Sequence, residues 1–423
     1  MALPPQEKKW LILSYRANID GSACSQHIDD RLPHFVKRNI TPVLLTSTIG
    51  NRFTRWPHHR CWSIAPSGIR FELRHLLRKR FNKRWQFKTV ETLLLLPVLP
   101  FYLLEKIILN LESEWSWFFV ASFRGYFLCR KYRPAVIYST GGTASAHVAA
   151  GIVSRLTGLP WMAETQDPLV HDHDWSRGKR VLKIYKWLER KICRQADCFI
   201  FLAEAARENM SARTGMPACG KIIYPGADPG LFNESRYQKD DICHFAHFGT
   251  LAGSRNLVVF LKALDSLIQE KNIHREQVRL DIYGSLDGVS RKVIDETGLD
   301  DLVTDYGVLS RKEALLEMQK VDCLLLIQNT IFFSSETIPS KVYEYMLSGR
   351  PILGLIHHNL ELEAMIREGG YFFAPAEDVE AVANEVMRIL RFFGETSFAS
   401  WSKNDTRTVA MAVDQLISLA DKM

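Results

Sequence analysis

The sequence has 423 residues, of which 47% are hydrophobic and 24% charged, a balance that excludes a disordered chain and allows more than one buried core. Its net charge of +7 favours an acidic partner: nucleic acid, an anionic membrane or a phosphate-bearing substrate. The eight cysteines form no CxxC pair and no Cys/His cluster at zinc spacing, so we expect reduced thiols and a cytoplasmic location.

The chain opens with a parallel β/α pattern. The apolar run from Trp10 to Tyr15 is too short for a signal-peptide core and predicts the first buried strand. A polar loop containing Gly21 and Ser22 follows, then a helical stretch to Asn39 and a second strand from Pro42 to Thr46. This order is half of a parallel β/α unit.

A basic, aromatic-rich segment then precedes an apolar run. Its cations are Arg70, Arg74, Arg78, Lys79, Arg80, Lys83, Arg84 and Lys88, with Trp85 among its aromatic residues. The uncharged run from Thr92 to Leu104 includes Leu94, Leu95 and Leu96. It is shorter than the ~20 residues that cross a bilayer, and Pro97 and Pro100 should interrupt it.

The adjacency of these two parts predicts contact with an anionic membrane surface. A solvated basic face beside a buried apolar helix is the alternative, so the sequence leaves open whether segment 89–111 dips into a membrane or lies inside the protein. Nucleic acid ranks lower because no recognition motif accompanies the charges, and we expect none as a partner.

A glycine loop follows the next predicted strand, from Val136 to Ser139. Gly141 and Gly142 precede a small-residue helix with His147 in its first turns, and a strand from Trp161 to Glu164 leads to Asp167. The GxGxxG fingerprint of dinucleotide folds is missing, which weakens an NAD-binding interpretation. His147 is a candidate catalytic residue, although a histidine at such a place is more often a packed or capping one.

The pair Asp172 and Asp174 imitates a DxD metal motif. Such a motif should close an apolar strand, whereas these residues lie in a polar stretch, so we expect no bound metal.

The second half alternates strands and helices with little interruption after a polar linker from Glu234 to Asp241. This alternation predicts a doubly wound parallel sheet with ligands at the carboxyl ends of its strands. Gly249, Thr250 and Arg255 follow the first of these strands. Glycine permits close backbone approach, and Arg255 can reach a phosphate.

The stretch from Ser334 to Leu355 carries the strongest local pattern. Glu336 lies in a loop, Ser340 can cap a short helix that Lys341 begins, and Glu344 falls in the first turns. The start of a helix and a lysine favour an anion such as a diphosphate. Glu344 can accept the two hydroxyls of a ribose.

Glu336 and Glu344 form an E-x7-E pattern which, with the segment PSKVYEYMLSGRPIL, resembles the donor-binding motif of glycosyltransferase family 4, retaining enzymes of the GT-B fold. The resemblance implies two doubly wound Rossmann-like domains with a cleft between them and a last helix that crosses back to the N-terminal domain. It also implies that Glu344 holds the donor ribose and that Glu336 lies beside the transferred sugar. The stretch from Arg133 to Pro168 is similar to transferases that build bacterial surface polysaccharides.

The resemblance further assigns the remaining candidates. Asp167 and His147 would lie near the reacting sugar, and Gly21 and Ser22 near the donor phosphates. Val308 and Leu309 would frame the nucleobase through main-chain groups. We expect an N-terminal domain over residues 1–232, on which the final helix 408–422 packs, and a nucleotide-sugar domain over residues 240–400.

The predicted function is therefore retaining, metal-independent transfer of a sugar from a nucleoside diphosphate to a lipid-linked or membrane-bound acceptor at the cytoplasmic face of the cell membrane, with no cofactor. A nucleotide-sugar epimerase or hydrolase on the same fold is the alternative, as is a non-catalytic membrane-associated partner.

Overall fold

The structure is a computed structural model that describes residues 8–81, 83–171, 178–215, 220–232, 237–395 and 407–423, with Arg84 described by its backbone alone. The chain divides into two compact units, which we call unit 1 (Met1–Tyr224 with Ala412–Met423) and unit 2 (Pro225–Met411). Each contains one parallel sheet.

Unit 1 is built around a seven-stranded sheet. Its elements are β1 (Lys8–Ser14), α1 (Ala23–Lys37), β2 (Ile40–Thr46), β3 (His58–Arg60), α2 (Pro66–Arg80), α3 (Arg84–Leu95), α4 (Leu99–Ile108), α5 (Trp117–Tyr132), β4 (Val136–Gly141), α6 (Ala144–Thr157), β5 (Trp161–Thr165), α7 (Lys179–Gln195), β6 (Cys198–Phe201), α8 (Glu204–Thr214) and β7 (Gly220–Ile222). The strand order is β3-β2-β1-β4-β5-β6-β7. Leu11 of β1 pairs with Val43 on one side and Ile137 on the other.

Unit 2 repeats this plan with six strands. Its elements are β8 (Cys243–Thr250), α9 (Val258–Gln269), β9 (Val278–Ser285), α10 (Gly288–Thr297), β10 (Val303–Asp305), α11 (Arg311–Met318), β11 (Cys323–Ile327), α12 (Lys341–Ser348), β12 (Ile352–Ile356), α13 (Leu360–Glu368), β13 (Phe372–Pro375) and α14 (Val379–Glu395), and α15 (Val409–Ala420) ends the chain. The strand order is β10-β9-β8-β11-β12-β13.

Both sheets bury their central strands on two faces. Leu11, Ile12 and Leu13 of β1 are fully buried, which explains why this strand reads as a continuous apolar run. In each sheet the winding reverses beside the first strand, between β1 and β4 and between β8 and β11. Ligands of doubly wound sheets bind at such switch points, outside the carboxyl ends of the strands.

The predicted α/β fold with two Rossmann-like domains is therefore confirmed. The final helix does return to unit 1, to which Ala412–Met423 belongs. Lys8 Nζ lies 2.7 Å from Asp421 Oδ1, and Arg38 pairs with Asp414. The turn from Pro225 onward, placed with the N-terminal domain above, falls in unit 2, where Ala227 bridges to Thr408.

The expected interruption at Pro97 and Pro100 is wrong. Helix continues from Arg84 to Ile108 through a 3-10 turn at Leu96–Val98. Each proline occupies an early position of its helical segment, where the missing N–H is not needed. The run Trp85–Ile108 is, within the described part of the chain, the one helix long and apolar enough to cross a membrane by length and composition.

Buried polar residues fix the carboxyl edge of the first sheet. Arg31 donates to Glu164 at 2.6 Å and to the Tyr138 hydroxyl at 2.6 Å, and Thr140 donates to the same carboxylate at 2.8 Å. Arg31 and Glu164 are fully buried. A charge at this depth requires its partner, so the pair holds α1 against β4 and β5.

His147 completes this arrangement. It is fully buried, with Nδ1 2.9 Å from the Ser139 hydroxyl and Nε2 3.2 Å from the Gly141 carbonyl oxygen. Both ring nitrogens are thus engaged within unit 1. The ring of His147 is therefore buried beneath the glycine loop, where it can hold that loop in position.

Burial lowers the pKa of His147 to about 4, below the ordinary value of 6.5 in an unfolded chain. The unfolded state then binds a proton that the folded state does not, so His147 contributes stability above pH 6.5 that is lost as pH falls towards 4. We expect His147→Gln to flatten the stability profile across that window, measured by urea unfolding. His58 and His247 remain in both proteins, so the difference isolates His147, and parallel profiles would contradict the assignment.

Candidate functional site

The end of β8 and the start of α12 lie in contact. Gly249 adopts a φ of 131°, and a Cβ placed on it would lie 2.5 Å from Lys341 Cε. Only glycine fits this position without displacing the lysine. Gly249 and Lys341, predicted separately as donor-binding residues, are therefore brought together at the switch point of the second sheet.

Three cations surround the same place. Burial lowers the pKa of Lys341; Glu344 opposes this, and Arg255 and Arg311 add to it. Burial also lowers the pKa of Arg255, whose Nε is buried without a hydrogen-bond partner. Among the described residues, the charges that act on the pKa of Lys341 are Glu344, Arg255 and Arg311, so cations outnumber carboxylates around this lysine. A bound anion would relieve this repulsion.

Arg311 was missed from the sequence. Its Nε and Nη2 donate to Glu344 Oε1 at 3.0 and 2.9 Å. The available signal was the capping box formed by Ser310 and Glu313, which starts α11 and places Arg311 in its first turn. The ion pair orients the Glu344 carboxylate, which is itself buried.

His247 was also missed, and it lies on β8 near the same cations. Its Nδ1 lies 3.1 Å from the Leu325 carbonyl oxygen, and its Nε2 is buried without a hydrogen-bond partner. Burial, with smaller contributions from Lys341 and Arg255, lowers its pKa to about 4. The ring is therefore neutral near pH 7 and adds no further positive charge.

The start of α12 differs from the expected cap. Ser340 has helical backbone angles and makes no side-chain capping bond. The Val342 N–H donates to the Pro339 carbonyl at 3.0 Å and the Tyr343 N–H to Ser340 at 3.4 Å. These two backbone N–H groups, in the first turn of α12, are therefore already hydrogen-bonded, because the residues just before the helix form a turn. The side-chain cations contribute most of the positive character.

Glu336 lies in a 3-10 turn, Ser334–Glu336, and is buried. The turn is fixed from two sides, since Gln328 and Asn359 both donate to the Ser334 carbonyl, at 2.7 and 2.9 Å. Gln328 follows β11 directly, and Asn359 lies three residues after β12 as the N-cap of α13. The sheet therefore determines where the Glu336 loop lies.

Aromatic rings stack beside the cation cluster. Phe248 and Tyr283 lie 4.5 Å apart and nearly parallel, and Tyr283 and Tyr306 lie 4.6 Å apart in the same way. Tyr306 remains 52% exposed, and Val308 is 82% exposed, with Leu309 half-buried. The predicted nucleobase loop thus includes an aromatic surface, where only main-chain contacts were expected. Thr250, at the end of β8, is exposed.

The unit 1 candidates lie at the carboxyl edge of its sheet. Gly21 has a φ of 71° and is exposed, and Ser22 precedes α1 without a side-chain cap. Asp167 is exposed after β5, with Oδ2 4.0 Å from Cys24 Sγ of α1. The loops after β1 and β5 are therefore neighbours. His147 lies beneath them.

No metal cluster is found among the described residues. The DxD-like Asp172 and Asp174 lie outside the described part of the chain.

The predicted membrane residues lie on α2, α3 and α4. Arg78, Lys79 and Arg80 are exposed at the end of α2, and Lys79 Nζ is 3.0 Å from the Ile49 carbonyl. The exposed apolar side chains of the helical run are Trp85, Leu93, Leu94, Leu96, Leu99, Phe101, Leu103, Leu104, Ile107 and Ile108, which we call the apolar face. Leu95 is half-buried, and the Arg84 side chain lies outside the described part. This segment is therefore not buried within the protein.

Comparison with known proteins agrees with this architecture. Residues 57–224 match the model of the glycosyl transferase 4-like domain, and residues 243–391 match that of glycosyl transferases group 1. A search of curated protein sequences finds no significant match.

Solved structures share the fold across nearly the whole chain. Sucrose-phosphate synthase from Thermosynechococcus elongatus has a TM-score of 0.66 at 13% identity, covering 98% of both chains. HepE from Anabaena in complex with UDP has a TM-score of 0.64 at 13% identity, covering 99% of this chain and 100% of that one. The lipopolysaccharide outer core galactosyltransferase WaaB has a TM-score of 0.56 at 12% identity, covering 96% and 95%.

The two matched domains follow one another in the chain: the first contains β3 to β7 of the first sheet, and the second contains all six strands of the second sheet. The chain belongs to the family 4-like glycosyltransferases of the GT-B fold.

Proposed function

We propose that this glycosyltransferase moves a sugar from a nucleoside diphosphate to a lipid-linked or membrane-bound acceptor, with retention and without a metal ion, in the synthesis of a surface polysaccharide or glycolipid. The crowded cations at the end of β8 carry the proposal. In the part of the chain that the structure describes, Glu344 is the carboxylate that acts on Lys341 against Arg255 and Arg311, and the pKa values of Lys341 and Arg255 are lowered. A diphosphate supplies the missing negative charge.

The cluster also suits the chemistry of glycosyl transfer. Cleavage of the bond between sugar and diphosphate leaves negative charge on the departing phosphate, and cations fixed before the reaction stabilise that charge in the transition state. Lys341 and Arg255 would do so without a metal. In the proposed retaining course, the acceptor hydroxyl attacks from the face that the diphosphate leaves, and a phosphate oxygen takes its proton.

The remaining donor contacts follow from the same unit. Glu344, held by Arg311, would accept the ribose hydroxyls, and Glu336 would lie beside the sugar. The exposed face of Tyr306 offers a stacking surface for the base, continued behind it by Tyr283 and Phe248. HepE is described in complex with UDP, which supports a nucleotide ligand for this fold.

The membrane part of the proposal is supported by the apolar face and by how its helices are held. Arg74 donates to Glu91 Oε1 at 2.7 Å, and Ser67 N–H donates to Glu105 at 2.9 Å. Both ends of the helical run are thus tied along α2. A helix fixed in this way and exposed on one side suits a position in the plane of the membrane surface, with Arg78, Lys79 and Arg80 towards anionic headgroups. We propose a peripheral location at the cytoplasmic face.

Lys341→Met should weaken binding of UDP or GDP roughly ten- to a hundredfold, the range for loss of a hydrogen bond to a charged group, while uridine or guanosine binds unchanged. Titration calorimetry with each nucleoside and its diphosphate measures these affinities. Because the pKa of Lys341 is lowered, wild-type diphosphate affinity should fall with rising pH earlier than for an ordinary lysine. Lys312→Met, exposed on α11, is the control. Equal losses for nucleoside and diphosphate would remove the phosphate assignment.

Glu344→Gln should abolish the preference for a ribonucleoside diphosphate over its 2′-deoxy analogue, a preference we expect to be about tenfold in the wild type. Arg311→Gln removes the ion-pair partner of Glu344 but keeps the Glu344 carboxylate, so this variant should retain the preference for the ribonucleoside diphosphate. Competition binding with the two nucleotides measures the ratio. A preference that persists in Glu344→Gln would show that another group holds the ribose.

The reaction itself is tested by incubating the protein with labelled nucleotide sugars and bacterial membranes. Label should enter the lipid-extractable fraction, and EDTA should leave the rate unchanged. Loss of transfer with EDTA and recovery with Mn²⁺ would contradict the metal-free mechanism. Release of free or epimerised sugar without an acceptor would favour the hydrolase or epimerase alternative.

A further inference from the structure

A cavity of about 390 Å³ lies among α2, α3 and α4, within the size range of small-molecule sites. Its walls combine two kinds of side chain. Arg70, Arg74 and Lys88 line it together with Glu91, and Leu95, Leu96, Leu99 and Tyr102 line the remainder. Leu96 and Leu99 are 60% and 44% exposed and also belong to the apolar face. The cavity is therefore continuous with the surface assigned to the membrane.

The charged wall is organised by one buried carboxylate. Glu91 is 6% exposed and accepts from Arg74 Nε and Nη2 at 2.9 and 2.7 Å, with Arg70 Nε 3.5 Å away. The Arg70 guanidinium also lies 4.9 Å from the centre of the Tyr102 ring. Both guanidiniums are thus held in place before any ligand arrives. Three cations against one carboxylate leave an excess of positive charge, which favours a phosphate-bearing ligand.

The cavity also lies close to the carboxyl edge of the first sheet. Glu72, between Arg70 and Arg74 on α2, accepts from the Tyr15 hydroxyl at 3.0 Å and from Thr48 at 3.0 Å. Tyr15 and Thr48 follow β1 and β2. Because residues two apart point to opposite sides of a helix, the cavity and the Tyr15 hydroxyl lie on opposite sides of α2, about one helix diameter, ~10 Å, apart.

We propose that this cavity binds the phosphate of the lipid-linked acceptor, with Arg70, Arg74 and Lys88 around the phosphate and the hydrocarbon chain along Leu95, Leu96 and Leu99. The inference rests on the proposed function and names the lipid carrier as a phosphate-bearing one. Bulk phospholipid is a weaker match, since attraction to a bilayer needs only exposed charges such as Arg78 and Arg80, whereas this cavity places its cations beside an apolar wall. The acceptor sugar would then extend towards the end of β1.

Vesicle binding tests the proposal. The probes are phosphatidylcholine vesicles carrying a small fraction of a long-chain isoprenoid monophosphate, and vesicles of equal surface charge carrying phosphatidylglycerol. Wild-type protein should bind the first about tenfold more tightly. The double variant Arg70→Gln/Lys88→Gln should lose this preference, while the Arg74 guanidinium still donates to Glu91. The control pair Arg78→Gln/Arg80→Gln removes the same charge outside the cavity, and its preference should survive.

A third variant tests the cavity without changing its charges and so controls for misfolding of the charge variants. Val98→Trp fills the cavity and keeps every charge, and it should also lose the preference. Absence of a preference in the wild type, equal losses in the two charge pairs, or full competition by inorganic phosphate would each overturn the proposal. UDP and GDP binding is measured on the same samples. Its absence in the wild type would refute the proposed function, whereas loss of the vesicle preference alone would refute the cavity assignment.

Discussion

Repulsion between like charges at the carboxyl edge of the second sheet constrains what unit 2 can hold. Lys341 lies across Gly249, so close that a Cβ at that position would displace it, and Arg255 and Arg311 each lower the pKa of that lysine. Such crowding of like charges lowers the stability of the protein without a ligand. The fold tolerates it because the sheet, the Glu336 loop held by Gln328 and Asn359, and the Arg311–Glu344 pair keep these groups in position. Binding sites commonly store strain of this electrostatic kind.

The edge of the first sheet is organised on the opposite principle. Its charges are neutralised internally, with Arg31 paired to Glu164 and His147 held neutral between Ser139 and Gly141. The loops above them, with Gly21 and Asp167, therefore rest on a rigid base that carries no excess charge. The two sheet edges therefore differ in how their charges are arranged: cations are crowded at the second, and the buried charges of the first are paired.

The sequence was sufficient for the fold, because buried parallel strands are long apolar runs, and it named Gly249 and Lys341 separately, which the structure brings into contact. It was insufficient where structure depends on contacts between distant segments. Arg311 lies 33 positions from Glu344, and the Tyr283–Tyr306 stack joins two strands. The strands β3 and β13 were missed because three or four residues carry no periodicity. Pro97 was misread because its helical position cannot be inferred from composition alone.

The ties that hold the long apolar helix have a geometric consequence. Glu91 and Glu105 bind it to α2 at two points, and Glu72 binds α2 to the segments that follow β1 and β2. The exposed leucines of the apolar face and the carboxyl ends of β1 and β2 are therefore parts of one rigid frame. Once those leucines settle into a lipid layer, the strand ends stand at a constant height above it. This frame would then set how far the hydroxyl of a lipid-linked acceptor must project from the bilayer to reach the strand ends.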